Sequence, residues 1–252
     1  MSGYNYFAEY YDKLMYDVDY TSICSYVINL AKKNGLDLKN LIEAGGNPLA
    51  ADLGCGTGKA CSIFSKIGLN MIGIDNSEQM LGVAVENARL SNQDILYLYQ
   101  DMTDFELYGT VALITCLTDG VNHITDSRKL RRMFYWAHNY LDPGGLFIFD
   151  VNTEEKFSYI LKNKVFYQVS DDVSYIWQSK LNKGKKICEF DLTFFIKEKN
   201  GFYKREEAVI KERIYSKVEL TDWLKAEGFK TVKTYRKKDR MYYVCKAGDK
   251  NY

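Results

Sequence analysis

Proline is nearly absent: Pro48 and Pro143 are the only two in 252 residues, and neither sits in a Pro-rich tract. With no stiff, extended linker, nothing obvious parts the chain into separate units. Histidine is as scarce, with His123 and His138 alone. The six cysteines, at 24, 55, 61, 116, 188 and 245, include no Cys-x-x-Cys pair. Together these speak against a zinc centre or a disulfide framework, and for a reducing, cytoplasmic setting. No uninterrupted apolar run approaches the length of a membrane span. The first six residues hold no basic stretch followed by an apolar one, so no secretory leader is expected. Neither sign of charge is in excess, and a net charge of +1 supplies no field to hold nucleic acid or a membrane.

What is present is 46% apolar residues, enough for a substantial core, and a length suited to one domain or one with a sizeable insertion. The chain is organised around residues 49–59. There a short apolar run ends in Asp52, and Gly54, Gly56 and Gly58 follow on alternate positions. Ala60, Ile63, Phe64 and Ile67 then repeat at helical spacing. A buried strand, a tight turn and a helix in this order open a doubly wound α/β sheet. Glycine suits the turn because it accepts positive φ and lets backbone N–H groups approach a ligand closely. The dinucleotide fingerprint Gly-x-Gly-x-x-Gly would need glycine at position 59, where Lys59 stands. No Gly-Lys-Ser/Thr closes a phosphate-binding P-loop either.

Further short strands are read at 70–75, 95–99, from 110, at 146–151, at 229–235 and at 241–245, which gives a mostly parallel sheet of seven strands. Asp75 ends the second strand about 20 residues beyond the glycine loop, where this architecture places an acid on ribose hydroxyls. Ser77 caps the helix after it. Ligands bind outside the carboxyl ends of such strands, where strand order reverses. Cys116 and Leu117 are therefore expected beside the ligand, with Asn122 and His123 facing a second substrate. His138 reads as an ordinary helix residue. Between 165 and 215 the pattern changes to alternation, as in Cys188, Phe190, Leu192, Phe194 and Ile196, with turns at Asn182-Lys183-Gly184 and Asn200-Gly201. This reads as an inserted antiparallel sheet. Ser216 and Glu219 then form a capping box.

The run Asp52-x-Gly54-x-Gly56-x-Gly58 resembles the first motif of class I methyltransferases, which use S-adenosylmethionine. The Pro143-Gly144-Gly145 turn before the fifth strand resembles the family too. The resemblance implies a Rossmann-like fold and S-adenosylmethionine as cofactor. By it, the cofactor would be held by Asp52, Gly54, Cys55, Gly56, Thr57, Gly58, Asp75, Asn76 and Met80, and by Asp101, Met102, Cys116 and Leu117. Asp101 would accept from the adenine amine, Met80 would pack on the ring, and Asp104 would be a loop residue. The aromatic N-terminal stretch, with Tyr4, Tyr6, Phe7, Tyr10 and Leu14, is similar to the cap of small-molecule methyltransferases; Tyr11 and Tyr20 would close over the cofactor, and Tyr11 would also face the acceptor. Relatives that methylate amino sugars carry a histidine near His123, which makes it the candidate general base. A sheet inserted here is similar to the acceptor lid of glycine N-methyltransferase and sugar-amine methyltransferases, and can carry a dimer contact.

The expected organisation is a helical cap over 1–34, a cofactor-binding domain over 35–160 and 216–252, and a lid over 161–215. The expected activity is methyl transfer to a small-molecule amine or hydroxyl by a monomer or homodimer, with no metal, since no His/Asp/Glu cluster is visible in the sequence. Three alternatives stay open: nicotinamide-dependent oxidoreduction, opposed by Lys59; cofactor binding without chemistry; and RNA methylation, suggested only by the basic turn 236–240.

Overall fold

Side-chain caps set where the helices start. The computed structural model describes residues 8, 11, 12, 15 and 17–248. Tyr4, Tyr6, Phe7, Tyr10 and Leu14 of the expected cap lie outside the described residues. Helix α1 (Tyr20–Lys33) begins after Asp19, whose carboxylate accepts from the Ser22 N–H, and it buries Cys24, Val27, Ile28 and Ala31 on one face. Asp37 likewise caps α2 (Leu38–Glu43), a helix too short to show a periodic pattern in the sequence. Helix α3 (Lys59–Lys66) follows Gly58, α4 (Glu78–Leu90) is capped by Ser77, and α5 (Ser127–Asn139) by Asp126. The capping box of Ser216 and Glu219 opens α6 (Lys217–Ala226), with both of its hydrogen bonds formed.

The main sheet contains β1 (Leu49–Leu53), β2 (Asn70–Asp75), β3 (Ile95–Tyr99), β4 (Val111–Cys116) and β5 (Leu141–Asn152). A second sheet, fully antiparallel, is built from β6 (Val165–Gln168), β7 (Val173–Asn182), β8 (Ile187–Lys197) and β9 (Tyr203–Arg213). The chain then returns through α6 to complete the main sheet with β10 (Phe229–Lys237) and β11 (Arg240–Ala247). The seven strands lie in the order β3-β2-β1-β4-β5-β11-β10; β11 runs antiparallel to both neighbours and the other pairs are parallel. Strand order reverses between β1 and β4, so the crevice at their carboxyl ends is the natural ligand position.

Alternation along the central strands builds a core on each face. Phe147, Phe149 and Val151 of β5 meet Leu130, Phe134, Leu220 and Leu224 on one side. Leu146 and Ile148 meet Val27, Phe64, Tyr242 and Val244 on the other. β5 is longer than the expected 146–151. Leu141 already pairs with Val111, and the ladder resumes at Leu146 opposite Leu113. Asp142-Pro143-Gly144-Gly145 is therefore an irregularity within the strand, not a turn before it.

The inserted sheet buries Cys188, Phe190, Phe194 and Ile196 on the face predicted by alternation. Phe157 and Leu161, just after β5, pack under it with Phe190, and Tyr11 packs beside Val173, Phe194 and Ile196. The N-terminal segment is thus joined to the second sheet as well as to the first. Among the described residues no helix is long and apolar enough to cross a membrane.

Candidate active site

The glycine loop is shaped by what it must not contain. Gly56 has φ +54, and a Cβ built there would meet nothing within 4 Å, so its open side faces the cavity. Gly58 has φ +77, but its missing Cβ makes room for the Tyr97 hydroxyl of β3 and for Ala84 of α4. One glycine serves an approach from the cavity, the other the packing beneath it. Asp75, at the end of β2, accepts from the Gly56 N–H and the Ser77 N–H, each at 2.9 Å. Burial pushes its carboxyl above the usual range, and these two N–H bonds work against that shift.

A cavity of about 440 Å³ opens in front of the loop. Gly54 and Gly56 form its floor, and Asp75, Asn76 and Met80 form the wall that continues from β2. Asp101 and Met102 enter from the end of β3; Asp101 is fixed by Thr103, whose N–H and hydroxyl both donate to it at 2.8 Å. Leu117 and His123 close the side beyond β4, and Tyr11 reaches in from the N-terminal segment. A smaller space of about 30 Å³ adjoins it, bounded by Tyr11, Tyr20, Asp52, Cys55, Thr57 and Leu117 among others. Most of the sequence-predicted residues therefore line one continuous region. Gly58 is not on its surface, for the packing reason just given. Cys116 is not either: it is fully buried in the core with its sulfur beneath Gly120, because the alternation of β4 points it away from the crevice.

The N-terminal segment is tied to the loop by a residue that sequence reasoning missed. Asp12 accepts from the Thr57 hydroxyl at 2.7 Å and pairs with Lys59 at 3.2 Å. The Tyr20 hydroxyl hydrogen-bonds with Thr118 and Tyr11, and burial pushes its phenol up to about 12. Asp52, at the end of β1, accepts from the Thr115 hydroxyl at 2.6 Å. Burial raises its carboxyl to about 7, and the charges of Asp75 and Asp150 add to the rise.

The loop after β4 carries the strongest local constraint. Thr118 and Asp119 both adopt left-handed backbone conformations, φ 53 and 63, without being glycine. Asp150, fully buried at the end of β5, holds them there by accepting from the N–H of Thr118 at 2.8 Å and of Asp119 at 3.2 Å. Arg240 of β11 pairs with Asp150 and, at 2.7 Å, with Asp119. A short 3-10 turn, Gly120–His123, follows from this anchored start. Asn122, expected at the acceptor, is instead fully buried: it donates to the Arg213 carbonyl at 2.8 Å and accepts from the Asn152 N–H at 2.9 Å. It links β5 to the end of β9, and the next side chain, His123, faces the cavity. Burial lowers the His123 pKa below its ordinary value, with Asp119 opposing.

Asp119, His123 and Glu212 place ligand-type atoms within 4.8 Å of one another. This corrects the expectation that the chain has no His/Asp/Glu cluster; Glu212 arrives from β9, far away in sequence. The positive charge such a cluster attracts is already supplied. Arg240 touches Asp119, and Lys156 stands beside it with its ammonium on Asn152 Oδ1 at 2.8 Å. Burial alone would raise the Asp119 carboxyl, but Arg240, Lys156 and His123 hold it below the usual range. His138 lies away from all of this, stacked edge-on against Phe229 at the far side of the sheet.

A reversal of strand order, a glycine loop turned toward a cavity and acids at the ends of β2 and β3 define the Rossmann-like methyltransferase fold. Comparison with known proteins agrees. Residues 50–145 match the family model described as a methyltransferase domain. The chain is similar to an S-adenosylmethionine-dependent methyltransferase structure from Clostridium acetobutylicum ATCC 824, at 29% identity and a TM-score of 0.83, over 98% of this chain and 99% of that one. It is 29% identical over 229 residues to the Bacillus subtilis (strain 168) protein named "Putative methyltransferase YqeM", covering 90% of this chain and 86% of the relative. It shares the fold of CalS10, an amino pentose methyltransferase from Micromonospora echinaspora solved with S-adenosylmethionine, at 18% identity and a TM-score of 0.71 over 92% of each chain. The chain belongs to the class I, S-adenosylmethionine-dependent methyltransferases.

Proposed function

We propose that this methyltransferase acts on a small-molecule acceptor, an amine or a hydroxyl, and that His123 is its general base with Tyr11 beside it. The observation that carries the reading is the position of His123: it faces the cavity from a loop anchored by Asp150, and its lowered pKa keeps the imidazole neutral and proton-accepting at pH 7. The cavity volume, the two carboxylates at its wall and the open side of Gly56 suit S-adenosylmethionine. Asp75 would take the ribose hydroxyls, Asp101 and Met102 the adenine, Met80 the ring face, and the smaller space under Tyr11 and Tyr20 the methionine end. When bound, the cofactor supplies a methyl carbon on a good leaving group. The protein's own task is then to hold the acceptor in line, exclude water and remove one proton, and positioning alone can lower the barrier by several kcal/mol.

In this reading 1–34 serves as a cap, 35–160 with 216–252 as the cofactor-binding domain, and 161–215 as the lid that shapes the acceptor site. The free state of all six cysteines supports a reducing, cytoplasmic setting. A monomer or a homodimer is the assembly proposed with this reading. The amino pentose methyltransferase that shares the fold supports an amine as the first acceptor class to try.

The test is transfer of labelled methyl to a panel of small amines and hydroxyls. On the acceptor so found, His123→Ala should lower turnover by roughly 10²–10⁴-fold and leave cofactor affinity unchanged. A loss of only a few-fold would remove the base assignment.

A further inference from the structure

Glu212 breaks the pattern of its own strand. Along β9 the inward row runs Ala208, Ile210, Glu212, and the first two positions pack into the apolar clusters of the inserted sheet. Glu212 is only 7% exposed, where alternation calls for an apolar side chain. A carboxyl buried at such a site costs free energy unless something there uses it.

Its surroundings show what that is. Glu212 Oε2 accepts from Asn152 Nδ2 at 2.9 Å, and the same amide group donates to Asp119 Oδ2 at 3.2 Å. One side-chain amide therefore bridges two carboxyl groups, and both lie within 4.8 Å of His123. The groups facing Glu212 come from every neighbouring element: Asp119 and His123 from the loop after β4, Asn152 from β5, Lys156 from the turn after it, Cys188 from β8 and Arg240 from β11. Two like charges this close do not both ionise freely. Asp119 keeps the negative charge because Arg240 is in direct contact with it, while burial and Asp119 together push the Glu212 carboxyl up.

We propose that Glu212 is a positioning residue for the His123 base: with Asp119 it forms a carboxyl pair holding one proton, and it releases that proton as His123 becomes positively charged. This rests on the reading of His123 as base. The acceptor's N–H or O–H bond breaks toward the imidazole, which gains the proton, and the bonding pair stays on the acceptor atom as the nucleophile for the methyl carbon. The C–S pair leaves with sulfur. The Glu212 proton goes to water, so the new imidazolium is faced by two carboxylates. When His123 later gives its proton to solvent, Glu212 takes one back. The inserted sheet would then complete the catalytic base as well as cover the acceptor.

The experiment is a titration of the imidazole signals by NMR in the intact protein, with His138 as internal reference. The wild type should give a two-step curve for His123, since its charge and that of Glu212 are linked. In Glu212→Gln the curve should become a single step at lower pH, and turnover should fall roughly tenfold without change in cofactor affinity. Glu212→Asp should restore the second step, which separates a carboxyl requirement from a packing defect. An unchanged His123 curve and turnover in Glu212→Gln, alongside a large loss in His123→Ala, would overturn the role of Glu212 and leave the base intact. Full turnover in His123→Ala would overturn the base reading itself.

Discussion

Asp75 is held by the backbone: two N–H groups fix its carboxylate at the cavity wall. Asp75→Ala should weaken S-adenosylmethionine binding by about 1.5–3 kcal/mol, the range for a charge-assisted hydrogen bond lost from a site. Calorimetry decides this, and an unchanged affinity would mean that the carboxylate touches no cofactor. Asp52 makes a different kind of statement. Its folded pKa of about 7 lies above the 3.8 of an ordinary aspartate, so the folded state binds a proton that the unfolded chain has released. The stability this contributes is complete below about pH 4 and is lost as pH rises through 7. Asp52→Asn keeps an oxygen for the Thr115 hydroxyl and removes the titration. Urea midpoints of the variant, compared with the wild type across that window, should therefore fall less with rising pH; parallel curves would show that Asp52 does not titrate there. Residues such as these were legible because they end apolar runs. Asp12, Asp150 and Glu212 were not, since each works only on partners that the folded chain brings to it: Asp12 on Thr57, Asp150 on the backbone of Thr118 and Asp119, Glu212 on Asn152.

At the scale of elements, the glycine loop offers a paired test. A Cβ at Gly56 would stand in open space within the cavity, whereas at Gly58 it would run into Tyr97. Both residues have positive φ, so each alanine variant costs about 1–2 kcal/mol of backbone strain. Gly56→Ala should lose cofactor affinity by about tenfold or more, or ~1.4 kcal/mol, with only this modest loss of stability. Gly58→Ala should lose far more stability, seen as a larger fall in Tm. If the two behave alike, the loop does not divide its work in this way. The sequence showed this loop, the inserted sheet and the capping box of α6 through spacing alone, because period and caps are local properties. It misread two elements for the same reason. Asp142-Pro143-Gly144-Gly145 has turn chemistry, yet pairing of Leu141 with Val111 draws it into β5, and α2 is too short for a periodic signal. Asn122 was placed in the right loop but on the wrong side of it, since nothing local reveals which side chain of a 3-10 turn reaches across to Arg213.

For the whole molecule, strand order follows from βα repetition, and with it the crevice between β1 and β4. What repetition does not reveal is the meeting of the two sheets. The inserted sheet is tied to the main one through Asn122 and Asn152, and through them to the loop that carries His123. The N-terminal segment joins the two sheets, with Tyr11 packed on the insertion and Asp12 on the glycine loop. The cavity is lined by two parts of the chain that are distant in sequence, Tyr11 and residues between Gly54 and Lys129, and everything assigned to the cofactor lies before residue 120. The central claim is that this cavity is built for S-adenosylmethionine and not for a dinucleotide, as Lys59 at the third fingerprint position implies. Calorimetric titration of the intact protein with S-adenosylmethionine, S-adenosylhomocysteine and NAD tests it most directly. Saturable binding of the first two at one site per chain, with none for NAD, is the predicted result; tight binding of NAD and none of S-adenosylmethionine would contradict it.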